Sequence, residues 1–193
     1  MGLPSKVVGG YWTYWRAPRL RDVPAAYNTV YLFSARPTGG QPGTDGSVFF
    51  EQSNQTHAEL VADIAHLRSQ GRAVILSIGG AGEALDITTN ARREAFLASI
   101  HRIHRSLGGF DGIDWNIEEE RLIQANIPNA VWVSQQLKAT YGPRFAITTP
   151  PAPWRQADIN FVTALNNGRA LDLVAPQYYD HSSLTDATYV VDN

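Results

Sequence analysis

Strand and helix patterns alternate along the chain, the third strand is apolar on both faces, and polar residues gather at the strands' carboxyl ends. Together these predict a parallel α/β fold of the (β/α)8 TIM-barrel type. The 193 residues read as one incomplete barrel domain over 1–193, truncated to about six strand–helix units. Residues 7–12 (Val-Val-Gly-Gly-Tyr-Trp) form a buried first strand, followed by an Arg- and Pro-containing loop to about Val23. Residues 29–35 are a second apolar strand. The stretch 36–55 carries Pro37, Gly39, Gly40, Pro42, Gly43 and Gly46 and reads as a long loop, either functional or a surface excursion. Thr56 and Glu59 have capping-box spacing, and Leu60, Ile64 and Leu67 follow at helical spacing until Gly71 stops the helix. Residues 73–80 are the third strand. A second helix spans 90–107, with Phe96, Ile100, Ile103 and Leu107 on one stripe. After a fourth strand over 109–118, a helix over 128–141 has Pro128 near its start and Gly142-Pro143 at its end. Residues 145–149 are the fifth strand, 158–167 a short helix closed by Gly168, and 171–179 the sixth strand, with no hairpin signal between units.

Composition narrows the function classes. Sixteen basic against eighteen acidic residues give a formal charge of -2, which argues against a nucleic-acid surface, and no apolar run reaches the roughly 18 residues of a membrane span. The cluster Arg16, Arg19 and Arg21 reads as a solvated loop. With no cysteine there is no disulfide, thiol nucleophile or zinc–thiolate site, and the redox compartment stays open. The segment 1–6 lacks the apolar core of a secretory signal, so the chain is either not exported by that route or has lost its signal. Five Trp, eight Tyr and seven Phe are abundant, and Tyr11, Trp12, Tyr14, Trp15, Trp154, Tyr178 and Tyr179 lie at the ends of apolar runs, where rims suited to flat sugar rings would form.

The chemistry concentrates in Gly109-Phe110-Asp111-Gly112-Ile113-Asp114-Trp115-Asn116-Ile117-Glu118. Strand alternation places Asp114, Asn116 and Glu118 on one face and Ile113, Trp115 and Ile117 on the other. Taken alone, this fits an antiparallel strand with one wet face as well as a barrel strand whose polar face lines the lumen. The alternating units favour the barrel. A dinucleotide-binding sheet is disfavoured because no strand leads into Gly-x-Gly-x-x-Gly, and a phosphate loop because no Gly-Lys-Ser/Thr occurs.

Residues 111–118 closely resemble the DGxDxDxE signature of glycoside hydrolase family 18, the chitinases and endo-β-N-acetylglucosaminidases. Ser77-Ile78-Gly79-Gly80 resembles that family's SxGG motif, and Gln177-Tyr178-Tyr179-Asp180 its Q/M-x-Tyr-Asp/Asn motif, in the same order and on the matching strands. The resemblance implies substrate-assisted hydrolysis of β-1,4 linkages at N-acetylglucosamine. Glu118 would be the general acid, its pKa raised by burial and by Asp114. Adjacent lumen residues lie about 6.6 Å apart, close enough for Asn116 to mediate between them. Tyr179 would orient the substrate's acetamido group. Tyr11, Trp12, Trp154, Gln177 and Asp180 would bind substrate, Asp111 and Ser77 would be supports, and no metal or cofactor is implied. Glu119 and Glu120 read as solvated loop.

Two departures from the family pattern shape the expectation. Asn116 stands where the pattern has Asp; it can accept the acetamido N–H but brings no charge, which predicts weaker catalysis, although Asn serves that role in the related family 85 endo-glycosidases. An inactive chitinase-like carbohydrate-binding or structural domain is the alternative. The chain also stops after six units where a barrel has eight over roughly 250 residues. That predicts closure of the open sheet by a second chain, a neighbouring copy or a larger assembly, such as an extracellular complex or virus particle. The expected substrate is an N-acetylglucosamine-containing polysaccharide or glycan, chitin or peptidoglycan among them, and the resemblance favours an extracellular or virion-associated location.

Overall fold

A computed structural model describes residues 2–16, 18–38, 45–52 and 54–179. Strands β1 (Gly9–Thr13), β2 (Thr29–Pro37), β4 (Ala73–Gly79), β5 (Gly112–Asn116), β6 (Ala146–Thr149) and β7 (Leu173–Val174) lie in that order in one curved parallel sheet, a half-barrel. Helices α1 (His57–Ser69), α2 (Asn90–Ser106), α3 (Glu120–Tyr141) and α4 (Gln156–Asn167) alternate with the strands. Among the described residues, no helix is long and apolar enough to cross a membrane.

The structure departs from the sequence expectation in several places, beginning with the first strand: β1 starts at Gly9 and buries only Trp12, not the whole of 7–12. Within the long Gly- and Pro-rich stretch, β3 (Val48–Phe49) pairs antiparallel with the end of β2 through Arg36 and Pro37, so one hairpin-like return interrupts the parallel pattern. Helix α3 begins at Glu120, eight residues before the expected start, and runs through Pro128. Proline there forfeits one intrahelical bond, but Leu122, Ile123, Ala130, Val133 and Leu137 bury a continuous stripe that outweighs the loss. Helix α4 begins two residues early. Strand β7 keeps only two residues, because Pro176 cannot donate to a ladder; the backbone nevertheless follows β6 through Ala175 N–H to Thr149 and Gln177 N–H to Pro151.

The arginine cluster also departs from the expectation of a solvated loop. Arg19 and Arg21 do not merely float in solvent: both close on Asp63 of α1, whose side chain is fully buried. Arg19 reaches it from Nε and NH2 at 3.2 and 3.1 Å and Arg21 from Nε at 2.5 Å, with Gln55 adding a third donor at 3.1 Å. Burial alone would raise the Asp63 pKa, but these donors outweigh it and hold the carboxyl below its usual value. The β1–β2 loop is thereby fastened to α1.

The outward faces of the strands and the inner stripes of the helices form the main core. Trp115 sits at its centre, stacked on Phe96 at 5.1 Å and donating its indole N–H to Ser134 of α3 at 2.9 Å. Burying a tryptophan of this size removes roughly 150–250 Å² from water, about 4–6 kcal/mol of gross stabilisation, and it fixes which face of β5 looks inward. A smaller cluster of Tyr31, Ala73, Ile75 and Ala146, joined by Leu3, fills the lumen below the site.

Candidate active site at the carboxyl ends of the strands

Alternate residues of β5 climb the lumen in layers. Gly112 lies level with Ile75 and Ala146, and a Cβ added there would overlap the Ala146 carbonyl, so the first layer admits only glycine on β5. One layer up, Ser77, Asp114 and Thr148 align across three strands. Above them Asn116 pairs with Gly79, and Glu118 follows just past the strand end. Gly79 has φ +89°, and a Cβ there would lie 2.6 Å from the Asn116 carbonyl oxygen; that oxygen accepts the Gly80 N–H at 2.8 Å. The glycine pair lets the loop after β4 turn away against the backbone of Asn116.

Asp114 is enclosed by hydroxyls. Tyr11 Oη and Ser77 Oγ donate to Oδ2 at 3.0 and 2.9 Å, and Thr148 Oγ1 donates to Oδ1 at 2.6 Å. Full burial pushes the carboxyl pKa up, and the three hydroxyl bonds oppose that shift without cancelling it. The same burial, with Asp114 alongside, raises the Tyr11 hydroxyl and pushes that of Tyr31 up to about 12. Tyr11 and Tyr31 are stacked at 4.8 Å, so the aromatic wall and the carboxylate layer are one packed unit. Asp114 thus sits beneath the cleft, its two oxygens held by three hydroxyl donors.

Over this floor opens a cleft of about 460 Å³, lined among others by Tyr11, Trp15, Phe33, Asn116, Glu118, Trp154, Gln177 and Tyr179. Gln177 Nε2 donates to the Pro150 carbonyl at 2.8 Å and makes a long 3.5 Å contact with Asn116 Oδ1. Tyr11, Trp15, Trp154 and Tyr179 are 36–58% exposed, although large apolar side chains favour burial; they offer rings to a flat, partly apolar ligand. A second groove of about 470 Å³, with Glu83, Glu119, Arg121 and Leu122 in its lining, meets the first at Ala81 and Glu118. Glu118 therefore stands where two halves of a longer furrow join.

Of the residues singled out in the sequence, Glu118, Asn116, Tyr179, Tyr11, Trp154 and Gln177 come together in this cleft, with Asp114 and Ser77 directly beneath. Asp180 lies outside the described residues. Trp12 must be corrected. It is 2% exposed, faces the helical layer, and donates its indole N–H to the Pro18 carbonyl at 2.7 Å; strand alternation that turns Tyr11 inward turns Trp12 out. Asp111 is a support, but at the amino end of β5: it pairs with Arg68 (NH2 at 3.1 Å) and accepts the Val74 N–H at 3.1 Å, which ties β5 to β4 and α1. Sequence reasoning missed Phe33, Thr148 and Arg155. Phe33 resembled any core residue of an apolar strand. Thr148 could have been found from the alternation of the fifth strand, and nothing in its local pattern marked Arg155.

The model of the family described as "Glycosyl hydrolases family 18" matches residues 7–186. Chitinase Chi52 of Paenibacillus xylanexedens is 30% identical over 191 residues, covering 86% of this chain and 35% of that protein. The chain spans about a quarter to a half of the length of the curated chitinase relatives it matches. Among solved structures, a family GH18 chitinase from Chromobacterium violaceum superposes with a TM-score of 0.78 at 24% identity, over 93% of this chain and 52% of that one. The xylanase and alpha-amylase inhibitor protein XAIP-II from Scadoxus multiflorus does so with a TM-score of 0.76 at 19% identity, over 98% and 73%. The matched model extends over nearly the whole chain and takes in Ser77, Asp114, Asn116, Glu118 and Gln177: the protein belongs to glycosyl hydrolase family 18.

Proposed function

We propose that the cleft cleaves β-1,4 linkages at N-acetylglucosamine by substrate-assisted, retaining hydrolysis. The observation that carries this reading is the stacking of Asp114, Asn116 and Glu118 on one lumen face, with Tyr179 lining the same cleft as Asn116 and Glu118. The Glu118 carboxyl gives its proton to the glycosidic oxygen as the C1–O bond breaks, while the substrate's acetamido oxygen bonds to C1 and forms an oxazolinium ion. Water then adds to C1 as the bond between C1 and the acetamido oxygen breaks and the N-acetyl group re-forms, and the water's proton passes to the Glu118 carboxylate. Tyr179 donates its hydroxyl to the acetamido group and holds it in line, and Asn116 Oδ1 accepts the acetamido N–H. With a neutral acceptor in that place the positive intermediate gains less, so turnover is weakened. The furrow continues beyond Glu118, which suits a polysaccharide lying across the acid rather than one entering by its end.

The substrate class on this reading is chitin or a related N-acetylglucosamine polymer, met outside the cell. Among the described residues β1 and β7 are the outermost strands of the sheet, and further strands, from this chain or another, would continue the arc there. The second reading is a carbohydrate-binding or structural domain without turnover. Asn116 favours it, and the fold alone does not decide, since XAIP-II carries it too. Release of reducing sugar from N-acetylglucosamine oligomers separates the two. Turnover by the native chain that Asn116→Asp raises and Glu118→Gln abolishes supports hydrolysis. No turnover in either the native chain or Asn116→Asp refutes it, and a Glu118→Gln variant as active as the native chain removes Glu118 from the role of acid.

A further inference from the structure

We infer that Arg155 is a positioning residue for Glu118, holding the tip of β5 in register with the loop that carries Trp154. The inference rests on the reading of Glu118 as the general acid. Arg155 NH1 donates to the main-chain carbonyl of Glu118 at 2.7 Å, across 37 residues of sequence. The rest of the guanidinium faces Asp158: NH2 donates to Oδ1 at 3.1 Å, and Nε lies 2.7 Å from Oδ2 as an ion-pair contact without hydrogen-bond geometry, the two side chains being 20% and 6% exposed. Asp158 Oδ1 also accepts the Ala152 N–H at 3.0 Å, and the Arg155 N–H closes the same turn on the Ala152 carbonyl at 3.0 Å. Trp154 is inside that turn.

One planar fork thus joins three elements: the end of β5, the β6–α4 loop and the first turn of α4, where a carboxylate also complements the helix dipole. Glu118 is the first residue past Ile117 to leave the buried core, and its backbone lies beyond the last paired residue of β5. The ladder with β4 ends at Asn116, so the Arg155 bond fixes the backbone of Glu118 where the sheet no longer does. Lysine can supply the charge and one donor, but its single ammonium cannot reproduce the fork.

The test compares the native chain, Arg155→Met, Arg155→Lys and Glu118→Gln on chitotetraose. Melting temperature is recorded for each, and amide hydrogen exchange is followed over residues 117–122. Misplacing a reacting group by about 1 Å can cost on the order of 100-fold. Arg155→Met is therefore expected to lower kcat about 10- to 100-fold while KM stays within about three-fold, and Arg155→Lys to lose less than about ten-fold. Exchange over 117–122 should quicken in Arg155→Met and largely recover in Arg155→Lys. A kcat within about three-fold of native, or a loss confined to KM, overturns the inference even when Glu118→Gln is inactive. If the native chain itself shows no turnover, the catalytic reading fails separately. The tether is then judged on exchange alone, and unchanged exchange in Arg155→Met refutes it.

Discussion

Replacing Asp63 by asparagine keeps the side chain's size and one acceptor but removes a charge on which two arginines converge. The carboxylate has no exposed surface, whereas the Arg19 and Arg21 side chains are 35% and 43% exposed. Breaking a fully buried ion pair from one side typically costs 3–5 kcal/mol; here the partners left behind can rehydrate, which lowers the expected loss to about 2–3 kcal/mol. For a domain of this size that corresponds to a fall of about 4–12 °C in melting temperature. Urea unfolding should show a lower midpoint at unchanged slope. The pH dependence gives an internal control. The Asp63 pKa is held down in the fold, so its contribution is present above the usual carboxylate value near 3.8 and is lost as pH falls below it through the folded value. Asp63→Asn should therefore lose less stability than the native chain on acidification below about pH 4. A destabilisation under about 0.5 kcal/mol at neutral pH, or identical acid slopes, would refute the assignment of Asp63 as the clamp between the β1–β2 loop and α1.

Three further outcomes follow from the geometry. Trp154→Ala should weaken binding of N-acetylglucosamine oligomers five- to thirty-fold, roughly 1–2 kcal/mol, read by calorimetry with little change in melting temperature. Gly79→Ala forces a Cβ into the φ +89° conformation 2.6 Å from the Asn116 carbonyl; about 2–3 kcal/mol of lost stability in urea and a drop in turnover are expected. His104 is stacked on Tyr141 at 4.2 Å, with Arg68, His101 and Asp111 nearby, and burial lowers the pKa of both His104 and His101. The neutral rings belong to the fold, so their stabilising contribution is complete above about pH 6.5 and fades as pH falls below it. Melting temperature should decline on acidification from pH 6.5, and more shallowly in His104→Gln.

The legible parts of the fold were those set by local chemistry. The Thr56–Glu59 capping box starts α1 where its spacing says it should, and two-residue alternation in β5 separates Trp115 from Asp114 as expected. The same alternation applied to β1 would have rejected Trp12, because one residue of strand separates a cleft side chain from a core one. What sequence spacing could not reveal was contact between distant segments. Arg19 and Arg21 looked like solvated charge until α1 placed Asp63 against them, and Arg155 gains its meaning only from a carbonyl 37 positions away. Pro128 misled for a related reason, since its preference for helix starts is weaker than the burial of the turns before it.

Between β1 and β5 the sheet takes three strand steps, about 14 Å along a flat surface. Yet the Tyr11 hydroxyl meets Asp114 at 3.0 Å. This bond is a chord drawn across an arc: a tyrosine can span it only while the sheet stays curled. The carboxylate beneath the cleft therefore acts as a gauge of curvature. Any relaxation that flattens the half-barrel, at whichever edge it begins, separates that pair and strips the buried Asp114 of a donor before the strands themselves come apart.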